Sequence, residues 1–303
     1  MNQRVERLLQ IKSRAVSPIA EAYLFGLAGV LMFSGGIVAT RMSVLELPPI
    51  FVGAGRAAVA GLLSLVLLIL TRQSVPNRRY WPGLFIVAFG AAFAFPVFTA
   101  VALQWTDASH ATLVTTLMPL FTAIFGAWLS KQVPRIGFWL FACCGAALVL
   151  IYSMTQHKVA DLALADALLF AACLFCGLAY AKGAMLAKEL GSWQVICWAL
   201  VLALPILLPW TLYQLPNITL SAVSTSAWLG FAYLSVFSMF LGFFAWYRGL
   251  SLGGVAQISQ LQQLSPFLGS GWAAICLGEQ ISAIQIGIAL LVVFCIVLGR
   301  RFG

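Results

Sequence analysis

Apolar stretches of roughly twenty residues follow one another along the chain, each closed by a short segment where Lys, Arg, Gly, Pro and other polar residues collect. A helix needs about 20 mostly apolar residues to cross the hydrocarbon layer, and it satisfies its own backbone where lipid offers no partner. The pattern predicts spans near residues 21–40, 49–71, 82–104, 110–130, 136–154, 164–184, 193–213, 226–247, 254–276 and 281–299. The expected fold class is an all-α membrane protein of ten transmembrane helices.

Lys and Arg orient these spans, because the cytoplasmic ends of membrane helices carry the excess of positive charge. With the N-terminus inside, Arg4, Arg7, Lys12, Arg14, Arg72, Arg78, Arg79, Lys131, Arg135, Lys182, Lys188, Arg248, Arg300 and Arg301 fall on the cytoplasmic side. Arg41 and Lys158 fall outside, and Arg56 is left within a span. Fourteen against two predicts cytoplasmic N- and C-termini in a multi-pass protein of the cell inner (plasma) membrane. Composition points the same way: 62% hydrophobic and 8% charged residues exclude a soluble globule. The formal charge of +9 is scattered in ones and twos at span ends, so the expected partner is the lipid bilayer, and no nucleic acid. The basic lead, residues 1–20, suits an interfacial segment on an anionic leaflet, and the apolar run from Ala22 to Ala39 reads as a retained helix, not a signal peptide.

Residues able to carry covalent chemistry are sparse. Cys143, Cys144, Cys173, Cys176, Cys197, Cys276 and Cys295 all fall in apolar stretches, so no disulfide is expected. Cys173 and Cys176 have C-x-x-C spacing without the second pair that a zinc site needs. His110 and His157 stand apart, with no H-E-x-x-H and no paired intramembrane Asp, so no metal, cofactor or catalytic residue is expected and the chain is not read as an enzyme.

The two halves resemble each other. Leu31-Met32-Phe33-Ser34-Gly35 in the first span is similar to Cys173-Leu174-Phe175-Cys176-Gly177 in the sixth. Leu103 and Pro119 are spaced like Leu250 and Pro266. The division is a first repeat over 21–154, an external linker over 155–163, a second repeat over 164–300 and a cytoplasmic tail over 301–303. Five spans per unit is an odd number, so the second repeat is expected to enter the membrane from the opposite face, an arrangement many secondary transporters share.

Arg56-Ala57-Ala58-Val59-Ala60-Gly61, Ala102-Leu103 with Ser109-His110-Ala111, Pro119, and Leu277-Gly278-Glu279 leading to Gly287 make the chain resemble the drug/metabolite transporter superfamily with two EamA-type repeats. A departure is Ser130-Lys131-Gln132 in the first repeat, where the second has Leu277-Gly278-Glu279. Within that superfamily, length and lack of buried charge look most similar to bacterial amino-acid exporters of the YddG type. The resemblance implies a central cavity lined by spans 1, 3, 4, 6, 8 and 9.

Candidate functional residues follow from cost. Charge within a bilayer is expensive, which singles out Arg56; its side chain is read as contacting a substrate carboxylate, pairing with backbone carbonyls, or reaching the outer interface. Span 9 carries Gln257, Ser259, Gln260, Gln262, Gln263 and Ser265, and unpaired amides cost several kcal/mol in hydrocarbon. Gln257, Gln260, Leu264 and Phe267 share a face at helical spacing, which either lines water or bonds a neighbouring helix. His110 corresponds to Gln257 in the repeat and is either a gating partner or a helix cap beside Asp107. Phe33, Phe98, Trp105, Tyr180 and Trp246 fall on the spans that the family uses for its cavity and are candidates to grip an apolar side chain. Gln263 joins them as a binding candidate, while Pro119 and Pro266 are matched bending points.

The expectation is a carrier, acting as a monomer, that exports a small-molecule substrate, most readily neutral or aromatic amino acids, by alternating access. A multidrug or other metabolite exporter is the alternative, and an intramembrane enzyme or scaffold comes from a different class. No carboxylate lies mid-span to serve as a proton relay.

Overall fold

A computed structural model describes residues 17–106, 111, 114–156, 163–277 and 283–302. The basic lead up to Val16, Asp107, His110, Lys158 and Glu279 lie outside the described residues. The described residues are helical throughout, joined by short turns.

In chain order the helices are α1 (Pro18–Ser34), α2 (Gly36–Val44), α3 (Pro49–Leu70), α4 (Trp81–Val87), α5 (Phe95–Ala102), α6 (Met118–Ser130) and α7 (Ile136–Gln156). They continue with α8 (Ala163–Leu190), α9 (Ser192–Gln214), α10 (Thr225–Tyr233), α11 (Gly242–Gly253), α12 (Val255–Ser259), α13 (Ser265–Leu277) and α14 (Ala283–Gly299). A π-helical turn, Ala88–Ala94, joins α4 to α5, and a second, Leu234–Leu241, joins α10 to α11. A 3-10 stretch, Gln260–Leu264, joins α12 to α13. Among the described residues six helical stretches are long and apolar enough to cross a membrane: Pro18–Val44, Pro49–Leu70, Arg78–Ala102, Leu164–Leu190, Ser192–Asn217 and Thr225–Gly253. Met118–Ser130, Ile136–Leu148 and Ile286–Gly299 are shorter apolar helices.

Packing is inverted with respect to a water-soluble protein. On α3 the small residues Gly53, Ala54, Gly55, Ala57, Ala58 and Gly61 are buried, while the larger Leu62, Leu65, Val66, Ile69 and Leu70 face outward. Lipid tails are as apolar as leucine, so helices gain little by hiding large side chains. They gain by bringing backbones close, which small residues allow. A Cβ at Gly249 would lie 2.7 Å from the backbone nitrogen of Gly26, and one at Gly53 2.8 Å from the carbonyl oxygen of Pro96.

The helix pairs come in exchanges between the two halves. α1 packs on α11 in one pairing, and α8 packs on α5 and its π turn in the other. α6 rests on α8, as α13 rests on α1. α3 pairs with α9, and α7 with α14. Gly55 of α3 faces Thr211 near the end of α9, whereas Gly61 faces Leu200 and Leu204 earlier in it, so these equivalent helices run antiparallel. The offset of 147 residues that carries Leu103 onto Leu250 and Pro119 onto Pro266 also carries the π turn Ala88–Ala94 onto 235–241, within the other π turn. Both halves thus widen their helix at one place, although neither stretch contains a proline.

A carboxylate ties the halves together at each end of the bundle. At one end Glu46 accepts hydrogen bonds from the Ser224 backbone N–H and hydroxyl, both at 2.6 Å, and Ser224 caps α10 by accepting from Ala227 N–H. At the other, Glu189 accepts from the Tyr80 hydroxyl at 2.9 Å and pairs with Arg79 at 3.5 Å, just before α4. Glu46 and Glu189 stand 143 residues apart in sequence, close to the repeat offset.

Two donated hydrogen bonds favour the charged carboxylate of Glu46 and hold it below its ordinary value of 4.5. The native contact is therefore at full strength above the unfolded value and weakens as pH falls through the lowered folded one. The thermal unfolding midpoint in detergent is expected to fall as pH drops below about 4.5, and Glu46→Gln is expected to reduce that dependence. An unchanged pH profile in Glu46→Gln counts against the assignment.

Candidate functional site

The site is built where α1, α8 and α11 meet. Gly29 lets α1 approach the backbone of Trp246, a Cβ there falling 3.1 Å from the Trp246 Cα. That contact turns Phe33, one helical turn on, into a cluster of rings. Phe33 lies edge-on to Phe243 at 5.2 Å between centroids and to Trp246 at 6.0 Å, and stacks with Tyr180 at 6.4 Å. Tyr180 is 5.4 Å from Trp246 and 5.7 Å from Phe243, and Tyr247 closes the group at 5.6 Å from Phe243. Trp246 and Tyr247 are wholly enclosed and Tyr180 is nearly so. The Tyr247 hydroxyl donates to the Ala179 carbonyl at 3.3 Å.

Beside this cluster sits Arg56. Of the alternatives raised by the sequence, reaching outward does not occur: the residue is 4% exposed, less than two turns into α3. Nη1 donates a long hydrogen bond of 3.5 Å to the Thr40 hydroxyl oxygen of α2, while the enclosed Nε has no hydrogen-bond partner among the described residues. Cys176 and Tyr180, both on α8, lie near it. Tyr180 also engages the side chain of Gln262. Tyr180 is thus common to the rings, the guanidinium and the amide row.

The amides of the ninth predicted span divide into two sets. Gln260 Nε2 donates weakly to the Pro119 carbonyl at 3.4 Å, and Gln263 Nε2 donates to Gln260 Oε1 at 2.7 Å and to the Ala142 carbonyl at 3.2 Å. These two join α6, α7 and the 3-10 stretch as interhelical hydrogen bonds. Gln257 lines a narrow hollow with Gln260, Gln263, Phe138, Ala142 and Ile296. Gln262 is buried on the other side with an enclosed Oε1 that has no partner among the described residues.

Other candidates lie apart. Phe98 packs on Phe93 of the π turn, whose ring stacks on Trp210, so it belongs to the contact between that turn and α9. Trp105 is half exposed in the turn after α5. His110 is outside the described residues. Pro119 and Pro266 each occupy the second position of a helix, α6 and α13, where a missing N–H costs nothing; the interruption lies just before each proline, in a turn at Thr116–Leu117 and in the 3-10 stretch. The sequence named Gln262 only as one of the amides of span 9, and it did not single out Thr40, Phe243 or the carboxylates Glu46 and Glu189. The spacing of the two glutamates, 143 residues beside a repeat offset of 147, was the nearest signal available.

Comparison with known proteins places this geometry. The EamA-like transporter family matches at residues 20–154 and again at 163–299. The chain is 42% identical over 280 residues to a Bacillus subtilis (strain 168) protein named uncharacterized transporter YdeK, covering 92% of this chain and 97% of that one. It is 23% identical to the uncharacterized transporter YyaM of the same organism, over 88% of this chain and 90% of the relative. One crystal structure superposes with a TM-score of 0.74 at 20% identity, covering 91% of this chain and 94% of that chain, which shows a shared fold. With both halves matched, the chain belongs to the EamA-like transporter family of the drug/metabolite transporter superfamily and is a multi-pass membrane protein.

Proposed function

We propose that the protein is a ten-span secondary carrier of the cell inner membrane, both termini cytoplasmic, that exports neutral and aromatic amino acids by alternating access between two inverted halves. The observation that carries the reading is the two-fold exchange of helix contacts, with π turns at equivalent places and the aromatic cluster where α1, α8 and α11 meet. Two packings of similar energy are what such a carrier needs, and equivalent halves supply them by exchanging conformations. Glu46 and Glu189 suit this scheme because each ties one half to the other at a different end. Rings of the Phe33 cluster offer faces for an apolar or aromatic side chain.

The test is flux. Purified protein in liposomes, loaded with unlabelled L-phenylalanine or L-leucine, is expected to take up the labelled amino acid by saturable counterflow. Loss of counterflow for every amino acid in a panel, with retained flux of a lipophilic cation, overturns the amino-acid reading in favour of a drug carrier.

A further inference from the structure

The turn between α3 and α4 is exposed, basic and held in one shape. α3 ends at Leu70, and Arg72 follows in the left-handed region at φ 52°, its backbone N–H donating to the Ile69 carbonyl at 3.0 Å. Asn77 Oδ1 accepts from the Arg79 N–H at 3.2 Å, and the Trp81 indole Nε1 donates to the Pro76 carbonyl at 3.1 Å. Ile69 and Leu70 before the turn, and Trp81 and Phe85 after it, are apolar and exposed, with Trp81 edge-on to Phe85 at 6.4 Å. In a membrane-spanning bundle those side chains face lipid. The turn between them therefore stands at headgroup depth, where Trp collects.

Charge in this turn is one-sided. No Asp or Glu occurs in the sequence between Glu46 and Asp107, while Arg72, Arg78 and Arg79 fall close together. Glu189 of α8 reaches only into the last part of the turn, to Arg79 and Tyr80. Arg72 and Arg78 are exposed, and neither guanidinium has a hydrogen bond or ion pair among the described residues. The end of α8 adds the exposed Lys188, and Lys182, whose Cε would lie 2.9 Å from a Cβ at Gly83, just past Trp81.

We propose that this turn is a docking surface for the headgroup of an anionic phospholipid, its phosphate held by Arg72 and Arg78 and its acyl chains lying along Trp81 and Phe85. A guanidinium meets phosphate oxygens through paired, charge-assisted hydrogen bonds. An anionic lipid brings phosphate and hydrocarbon together, which matches two unpaired cations placed directly beside lipid-facing side chains. A zwitterionic headgroup carries its own cation and leaves the excess positive charge unanswered. Arg79 of the same turn makes the contact with Glu189 that joins the two halves, so the lipid sits on one arm of that joint.

The experiment titrates the purified protein in a neutral detergent with short-chain phosphatidylglycerol and reads half-saturation from the rise of the thermal unfolding midpoint. Phosphatidylcholine of the same chain length and inorganic phosphate are the parallel probes. Each arginine facing an anionic surface is worth about fivefold. The double variant Arg72→Gln, Arg78→Gln is therefore expected to raise the half-saturating phosphatidylglycerol concentration about 25-fold. The double variant Lys131→Gln, Arg135→Gln removes the same charge from the turn after α6 and is expected to leave that concentration unchanged. All four residues are exposed, and melting of the lipid-free variants at the wild-type temperature checks that they fold. Equal losses in the two double variants overturn the site in favour of diffuse charge. Equal saturation by phosphatidylcholine overturns it in favour of an apolar contact, and equal saturation by inorganic phosphate in favour of a free-anion site. None of these outcomes depends on which solute the protein carries.

Discussion

Trp246→Ala is expected to lower the thermal unfolding midpoint in detergent more than any other single truncation in the ring cluster. The side chain is wholly enclosed and touches Phe33 and Tyr180 edge-on. Removing a buried Trp costs about 3–5 kcal/mol where the site cannot collapse. Collapse is resisted here because Gly29 already brings α1 against the Trp246 backbone, leaving no slack between these helices. Much of the loss is dispersion, since a membrane interior supplies no hydrophobic effect between helices. Trp246→Phe should keep most of the packing. The check is paired melting curves: an alanine variant that melts with the wild type shows that the cluster is not a packed unit.

The second large effect is expected at Gly90. It lies in the first π turn, against α8, where an added Cβ would fall 2.7 Å from the Ala179 Cβ and 2.9 Å from the Phe175 carbonyl carbon, with the Phe175 oxygen nearer still. Backbone cannot swing aside as a side-chain end can. Gly90→Val therefore forces α8 away from the third predicted span, and overpacking of this kind costs about 1–3 kcal/mol. Gly271→Ala is the control, because nothing lies within 4 Å of its added Cβ. Size-exclusion profiles and melting in detergent should show loss of folded protein for Gly90→Val and none for Gly271→Ala. Equal behaviour of the two would mean that the close contact at the π turn is dispensable.

Much of the helical arrangement was legible because hydropathy and length speak directly to it. The repeats were legible through Leu103–Pro119 and Leu250–Pro266. The candidate site was harder, because it depends on which way each side chain turns, and interruptions of the regular helix reset that phase. The face drawn through Gln257, Gln260, Leu264 and Phe267 assumed 3.6 residues per turn throughout. The 3-10 stretch has three, so Gln260 aligns with Gln263 and bonds it at 2.7 Å, leaving Gln262 to face Tyr180. Phe98 follows a π turn that inserts extra backbone ahead of it, and its ring joins Phe93 instead of Phe33. Phe33, Tyr180 and Trp246 came together because Gly29 fixes the approach of α1 to α11, a contact that is a matter of shape and leaves no periodic trace. Arg56 could be singled out by its charge, but that its Nε is enclosed with no hydrogen-bond partner among the described residues is visible only in three dimensions.

The carboxylates at the two ends carry a consequence for a carrier of this design. Under the proposed alternating access, with Glu46 and Glu189 fastening opposite ends of the bundle, weakening one is expected to tilt the population towards the shape open at that end, and weakening the other to tilt it back. The resting shape is then set by the imbalance between the two fastenings and not by the strength of either. One is a hydrogen-bonded serine, the other a tyrosine beside an arginine, so salt and pH act on them unequally. The surroundings of the membrane become weights on a balance whose two pans are two differently partnered glutamates.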